Sequence, residues 1–459
     1  MRLAHYYFVS LGLFFTSWTN AQDIKPVSEV YQNAANDVNA TNKVNTTASL
    51  VDLSELRTEV PFYEKDTLTM QLMDDLPVWT IHSIQKSDPV LGYWSGLSPD
   101  RMVSGRLLNY IHPSTGIVVI RGVVHDLAND ISYQIKPDGQ GEDTVTKIRS
   151  GDLPPVGDSR VPIWSQIVTF ARNPWGVATG VAKSVGWKLQ SLTKSQEEMA
   201  RNAVTVDIMV IWTPNAECAV SSQSVDCSLT DTTLANMEAD IAMWVVETNT
   251  VHSNSGTGIT FNVVHQQRDT SGYRETADAS CILCDLTDTC HCQLGYIHGL
   301  RNDYKADLVT LIADTINLSS SAVCGIAWIG SCCQFNACYG FSVNDAACTN
   351  SGYVPAHEFG HNMGCRHDRG TSSTQQCPSD ACTSCDTNFG YRVPGQFRTI
   401  MAYNCDTYTT QCDGTATASC PVIPYFSGEA EYNGNSLGGA ENNCRGAIIS
   451  SKGAIAGFR

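Results

Sequence analysis

All 19 cysteines of this 459-residue chain lie between Cys218 and Cys444, and the 217 residues before them contain none. That density belongs to an oxidising compartment, where neighbouring cysteines pair and staple a fold. The chain therefore divides into a cysteine-free N-terminal region and a cross-linked C-terminal domain. The odd count leaves at least one thiol without an internal partner. "CILCDLTDTCHC", Cys281 to Cys292, sets closely spaced cysteines around His291. The spacing is open to a metal knuckle, but in an oxidising compartment it favours disulfides.

The N-terminal end agrees with that compartment. Residues 1–21, "MRLAHYYFVSLGLFFTSWTNA", carry Arg2, an apolar run from Phe8 to Phe15 and small residues Thr19 and Ala21. This is the pattern of a secretory signal peptide, and the run is well short of the roughly 20 residues a membrane span needs. Residues 22 to about 60 read as a flexible polar leader with glycosylation sequons at Asn39 and Asn45. From "LPVWTIHSI" to "TVTKI" the pattern is strand-like, as in the β-branched "GIVVIRGVVHDL", and "SGDLPPVGDSRVP" marks the exit. The expected division is a signal peptide (1–21), a cysteine-free region containing a small β-rich domain (22–203) and the disulfide-rich domain (204–459).

Charge narrows the function. The net charge is −17, and after residue 200 there are 12 basic against 25 acidic residues. Nucleic-acid binding needs clustered Lys and Arg, which are missing here, so that class is set aside. No stable membrane insertion is expected either.

After residue 204 strands and helices alternate. "TVDIMVIWTP" reads as a buried strand, and "TLANMEADIAMWVVETNTVH" as a helix with Leu234, Met237, Ile241 and Val245 on one stripe. "ITFNVVHQQ", "QLGYIHGLRNDY" and "ADLVTLIAD" follow as strand, helix and strand. The order predicts an α/β (α+β) domain, a twisted sheet with helices packed on it.

Directly after this scaffold comes "HEFGHNMGCRHD". On a helix, His357 and His361 project from one face, so both imidazoles reach one cation, with Glu358 beside them. Gly364 suits the left-handed turn that ends a helix and brings His367 back as a third ligand. Three neutral histidines leave a coordination position for water, as in catalytic rather than structural zinc sites.

"HEFGHNMGCRHD" together with "RTIMAYNC" resembles the metzincin metalloproteases, and Asp368 after the third histidine is similar to the adamalysin (reprolysin) branch. "VDIMVIWTP", "CGIAWIG", "NDYKADLVTLIAD" and "IPYFSGEAEYNG" extend the likeness over 204–459, toward secreted peptidyl-Asp metalloendopeptidases. The resemblance implies one catalytic Zn2+ on His357, His361 and His367, Glu358 as general base, protein or peptide substrates, and a mixed sheet with an active-site helix. It implies structural roles for Asp368 and for Met401 under the metal. It makes "CGIAWIG" (Cys324 to Gly330) the edge strand that pairs with substrate. Tyr403 matches in position a zinc-approaching tyrosine of astacins and serralysins, a use adamalysins lack, so packing is the alternative. Arg398, three residues before Met401, is the candidate cation for an acidic substrate residue after the scissile bond; Arg392 lies in the same neighbourhood. Disulfides are expected between Cys324 and Cys348, which bracket the edge-strand region, and between Cys405 and Cys420 after the methionine turn.

Residues 22–203 then stand where a propeptide stands. Without a cysteine they cannot use a thiol switch, and Asp152 in the Ser150–Asp152 "SGD" is the one candidate carboxylate, a plain turn being the alternative. No dibasic site precedes residue 205. The rival reading is a secreted binding protein on a metzincin scaffold with a structural zinc. Glu358 argues against it, since a structural site needs no base.

Overall fold

The computed structural model describes residues 48–50, 66–70, 72, 76, 79–86, 92–100, 102–137, 143–149, 203–224, 226–316, 323–330, 336–369, 387–405 and 420–459. The expected signal peptide, both sequons, Ser150–Asp152 and the connector before residue 203 lie outside them.

The β-rich region is one antiparallel sheet of eight strands: β1 (Ala48–Leu50), β2 (Thr67–Met70), β3 (Trp79–Lys86), β4 (Tyr93–Leu97), β5 (Val103–Ile111), β6 (Val118–Asp126), β7 (Ile131–Pro137) and β8 (Asp143–Arg149). β2 to β8 form a meander, and β1 returns to pair with β8. Alternate side chains face opposite ways along a strand. Ile81, Trp94, Leu107, Val124 and Val145 therefore make a core on one face, while Tyr93, Leu108 and Val123 face the other way.

The second sheet has the order β10-β9-β11-β13-β12, from β9 (Val204–Trp212), β10 (Ile259–Arg268), β11 (Leu308–Ala313), β12 (Gly325–Ala327) and β13 (Phe341–Asp345). All neighbours are parallel except β12, which runs antiparallel to β13 at the edge. Val206, Ile208 and Val210 of β9 pack with α2 (Asp231–Asn254), α5 (Val354–Asn362) and α6 (Cys444–Ile455). Met209 and Ile211 pack on the opposite face with α3 (Ala279–Thr287) and α4 (Tyr296–Asp303). A short α1 (Pro214–Val220) follows β9. The expected mixed α/β layering is present, and α3 is an extra helix.

Two expectations change. Cys281, Cys284, Cys290 and Cys292 are exposed and unbonded. The first two lie on α3, whose buried side is Ile282, Leu283 and Leu286, so its apolar stripe turns these thiols outward rather than into a staple. The other change concerns α2, read as having a single apolar stripe. Met237, Ile241 and Trp244 do face the domain core, but Val245 is only partly covered and the opposite face is also buried. Ala235 and Ala239 pack on Val119, and Met243 on Tyr93, Leu108 and Val123. The N-terminal sheet covers that face.

The seam between sheet and helix is strongly polar. The Arg106 guanidinium lies 3.1 Å from Glu247 and 2.5 Å from Nε2 of His125, with its central carbon 4.5 Å from the Tyr353 ring centre. Arg121 donates to the Asn236 carbonyl at 3.0 Å and sits 3.8 Å from Asp240, and the Tyr110 hydroxyl donates to Glu238 at 2.6 Å. The expected Cys324–Cys348 and Cys405–Cys420 disulfides are both closed, and Cys218–Cys227 is a third that had not been anticipated.

Candidate metal centre

α5 is preceded by Tyr353, a non-glycine residue in the left-handed conformation (φ 62°), and followed, after Met363, by Gly364, whose φ of 94° suits the turn expected there. Backbone N–H groups of Gly364 and Cys365 donate to the carbonyls of His361 and Gly360 and close the helix. The chain then returns as β14 (Arg366–Asp368), which pairs with β15 (Phe389–Gly390) and carries His367 back over the helix.

His357, His361 and His367 come together, with one donor atom from each inside a 4.8 Å cluster. Their tautomers follow from their partners. A carbonyl only accepts, so Nδ1 of His357 donates to Ile400 at 2.8 Å and Nδ1 of His361 donates to Cys365 at 2.8 Å. Both rings therefore present a bare Nε2 to the cluster. Nε2 of His357 has no hydrogen-bond partner among the described residues, and Nε2 of His361 lies 3.0 Å from that of His367. Converging, buried lone pairs, that of His357 without a partner among the described residues, fit a soft or borderline cation.

Burial keeps the rings neutral. It lowers His357 to about 4, while burial and then the adjacent imidazoles hold His361 and His367 well below the usual value of 6.5. Between pH 6.5 and 4 the unfolded chain binds protons these rings refuse, so stability falls as pH falls. For His357 alone the limit is on the order of 3 kcal/mol. The metal-free chain should melt progressively lower across that window; a flat melting temperature from pH 7 to pH 4.5 contradicts the assignment.

Glu358 is fully buried, and neither carboxylate oxygen has a partner among the described residues. Burial pushes its pKa well above the ordinary range. It fits only because position 325 on β12 is glycine: a Cβ there would stand 2.6 Å from Oε1 of Glu358. Sequence reasoning passed over Gly325, although the quoted edge-strand segment contained it.

Below the helix lies the methionine turn. Met401 is buried, and its sulfur nests where a side chain on Gly360 would otherwise be. Asp368 accepts from the Tyr403 backbone N–H at 3.1 Å and pairs with Arg392 at 3.3 Å, both side chains being buried. Arg392 is thus engaged with Asp368 and with the carbonyls of Tyr403 and Asn404. The Tyr403 ring packs 4.3 Å from the His367 ring, measured between centres. Arg398 is half-buried, donates to the Cys420 carbonyl at 2.7 Å, and its charge reaches His357. The site and β12 are joined by Asn362, whose amide donates to the Trp328 and Phe341 carbonyls at 2.9 and 3.1 Å. Nothing in the sequence singled Asn362 out.

Residues 215–413 match the metallo-peptidase family M12. With the converging triad on its helix, the C-terminal region is similar to metzincin-like metallopeptidases, a class that implies a bound metal ion. The relatives are peptidyl-Asp metalloendopeptidases. That of Xanthomonas campestris is 32% identical over 228 residues, covering 49% of this chain and 48% of that protein. That of Pseudomonas aeruginosa is 31% identical over 209 residues, 43% of this chain and 32% of the other. One from Stenotrophomonas maltophilia is 25% identical over 469 residues, covering 98% and 97%. The chain thus spans about half the length of the first of these and nearly all of the last.

Proposed function

We propose that this chain is a secreted, zinc-dependent endopeptidase, made with residues 22–203 as its propeptide and with His357, His361 and His367 as ligands. The observation that carries the reading is the buried, unpartnered Glu358 carboxylate on the helix that presents two of the three histidines. Bound zinc would supply a Lewis acid for the peptide carbonyl and lower the pKa of a water. Glu358 takes the proton of the attacking water and passes it to the leaving amine. The outer side of β12 carries no strand among the described residues, so its backbone groups suit pairing with an extended peptide. Asp368, Arg392 and Met401 position the floor, and Tyr403 packs on His367. Closed disulfides fit secretion, and among the described residues no helix is long and apolar enough to cross a membrane.

The relatives' name, peptidyl-Asp metalloendopeptidase, supports a preference for Asp in the substrate, and the proposal places that Asp after the scissile bond. Arg398 is the cation for it, because its charge reaches His357 while Arg392 is already paired with Asp368. Cleavage-site profiling of a peptide library, with and without a zinc chelator, tests both parts. Chelation should abolish cleavage, and Arg398→Ala should lower kcat/KM for Asp-containing peptides by about 10- to 100-fold with apolar ones nearly unchanged. A wild-type profile showing apolar residues at that position removes the acidic pocket and leaves the zinc peptidase.

A further inference from the structure

Seven cysteines among the described residues are unbonded, and five of them are exposed. Cys365 and Cys444 are the two buried ones, both 0% exposed. Each offers its thiol to a backbone carbonyl. The Cys365 thiol lies 3.5 Å from the Cys444 carbonyl oxygen, and the Cys444 thiol lies 3.1 Å from the Asn388 carbonyl oxygen. That same carbonyl accepts the Arg366 N–H at 2.9 Å, and the Asn388 amide donates to the Gly364 carbonyl.

We propose that Cys365 and Cys444 close a buried disulfide that ties the turn behind the metal centre to the start of α6. Two closed pairs, Cys324–Cys348 and Cys405–Cys420, bridge the same domain elsewhere. A thiol is a weak donor, and here each offers only a weak hydrogen bond to a carbonyl. Closing the bond breaks two S–H bonds and forms one S–S bond. Two electrons and two protons pass to a disulfide donor, a small-molecule or protein disulfide, which leaves as two thiols.

The bridge acts where it is placed. The Cys365 carbonyl fixes the tautomer of His361, and His367 follows two residues later. Anchoring Cys365 to α6 therefore braces two of the three histidines from behind, without touching the face that substrate would use. The bond is independent of the peptidase reading, because it is detected without any assay of activity.

Full-length protein denatured without reductant in the presence of an alkylating agent, then digested, should yield a cross-linked peptide joining Cys365 to Cys444. Alkylation of both residues, or Cys365 joined to any other cysteine, overturns the proposal. Cys365→Ala, Cys444→Ala and the double variant should each melt about 5–10 °C lower than the parent, by the same amount, since either removes the whole bridge. Small shifts that add in the double variant show two packed thiols instead. Zinc release to a colorimetric chelator should be about tenfold faster in the double variant, as for loss of a group that orients a ligand. A release rate equal to the parent's overturns the bracing of the histidines.

Discussion

Glu358→Ala is expected to keep the fold and the metal while losing roughly 10²- to 10⁴-fold in kcat, the range for removal of a general base. The size follows from isolation. The carboxylate is fully buried and no described residue shares its oxygens, so no neighbour can take over the proton. The same isolation fixes the sign on stability. A carboxyl group buried without a hydrogen-bond partner costs free energy, and alanine removes that cost, so the variant should melt no lower than the parent. Glu358→Gln keeps the shape and should lose a similar factor. Metal content by atomic absorption, melting temperature and peptide hydrolysis separate the cases. Activity within tenfold of the parent, with metal intact, rules out Glu358 as the base; lost metal or a lowered melting temperature makes it a structural residue.

The second large effect lies far from the metal. Arg106→Met should weaken docking of the N-terminal sheet by about 3–5 kcal/mol, because it strands Glu247, 2% exposed, without its counter-ion. Arg106 also donates to Nε2 of His125, which fixes that ring as neutral with Nδ1 donating to Ser132 at 2.8 Å. Burial, and then Arg106, hold His125 well below its usual pKa. The variant thus frees a buried base as well as a buried acid. Glu247→Leu alone strands the arginine and should also destabilise; the two together should recover most of the loss, since paired removal leaves no uncompensated charge. Urea midpoints of the full-length chain and its single and double variants form the cycle. Single variants within 1 kcal/mol of the parent, or additive losses in the double, mean that the pair does not hold the seam.

How much of this was readable in advance depends on the range of the interaction. The triad was legible because helix period and one glycine turn determine it within twelve residues, His357 to Asp368. Strands β9, β10 and β11 were legible from apolar runs and alternation. What could not be read was set by partners distant in sequence. The second buried face of α2 is Ala235, Ala239, Met243 and Glu247; apart from Met243, an apolar residue beside the stripe, these are too small or too polar to signal burial until residues of β4 to β6 cover them. Gly325 matters only because Glu358, 33 positions later, fills the space it leaves. Arg392 and Arg398 looked alike in sequence; one pairs with Asp368 and the other does not. The cysteines of α3 misled because helix geometry, not spacing along the chain, decided where their sulfurs point.

Tyr353 is held in a left-handed conformation, stacked on His125 and under Arg106, and it is also the residue from which α5 starts. One residue is thus shared by two binding equilibria, sheet on domain and cation on triad. Such equilibria are bound by reciprocity: whatever factor the docked sheet applies to the affinity of the triad for its ion, the ion applies to the affinity of the domain for the sheet. A titration of ion binding in the presence and absence of the sheet therefore also measures, without further experiment, how strongly loading the site loosens or tightens the sheet's grip.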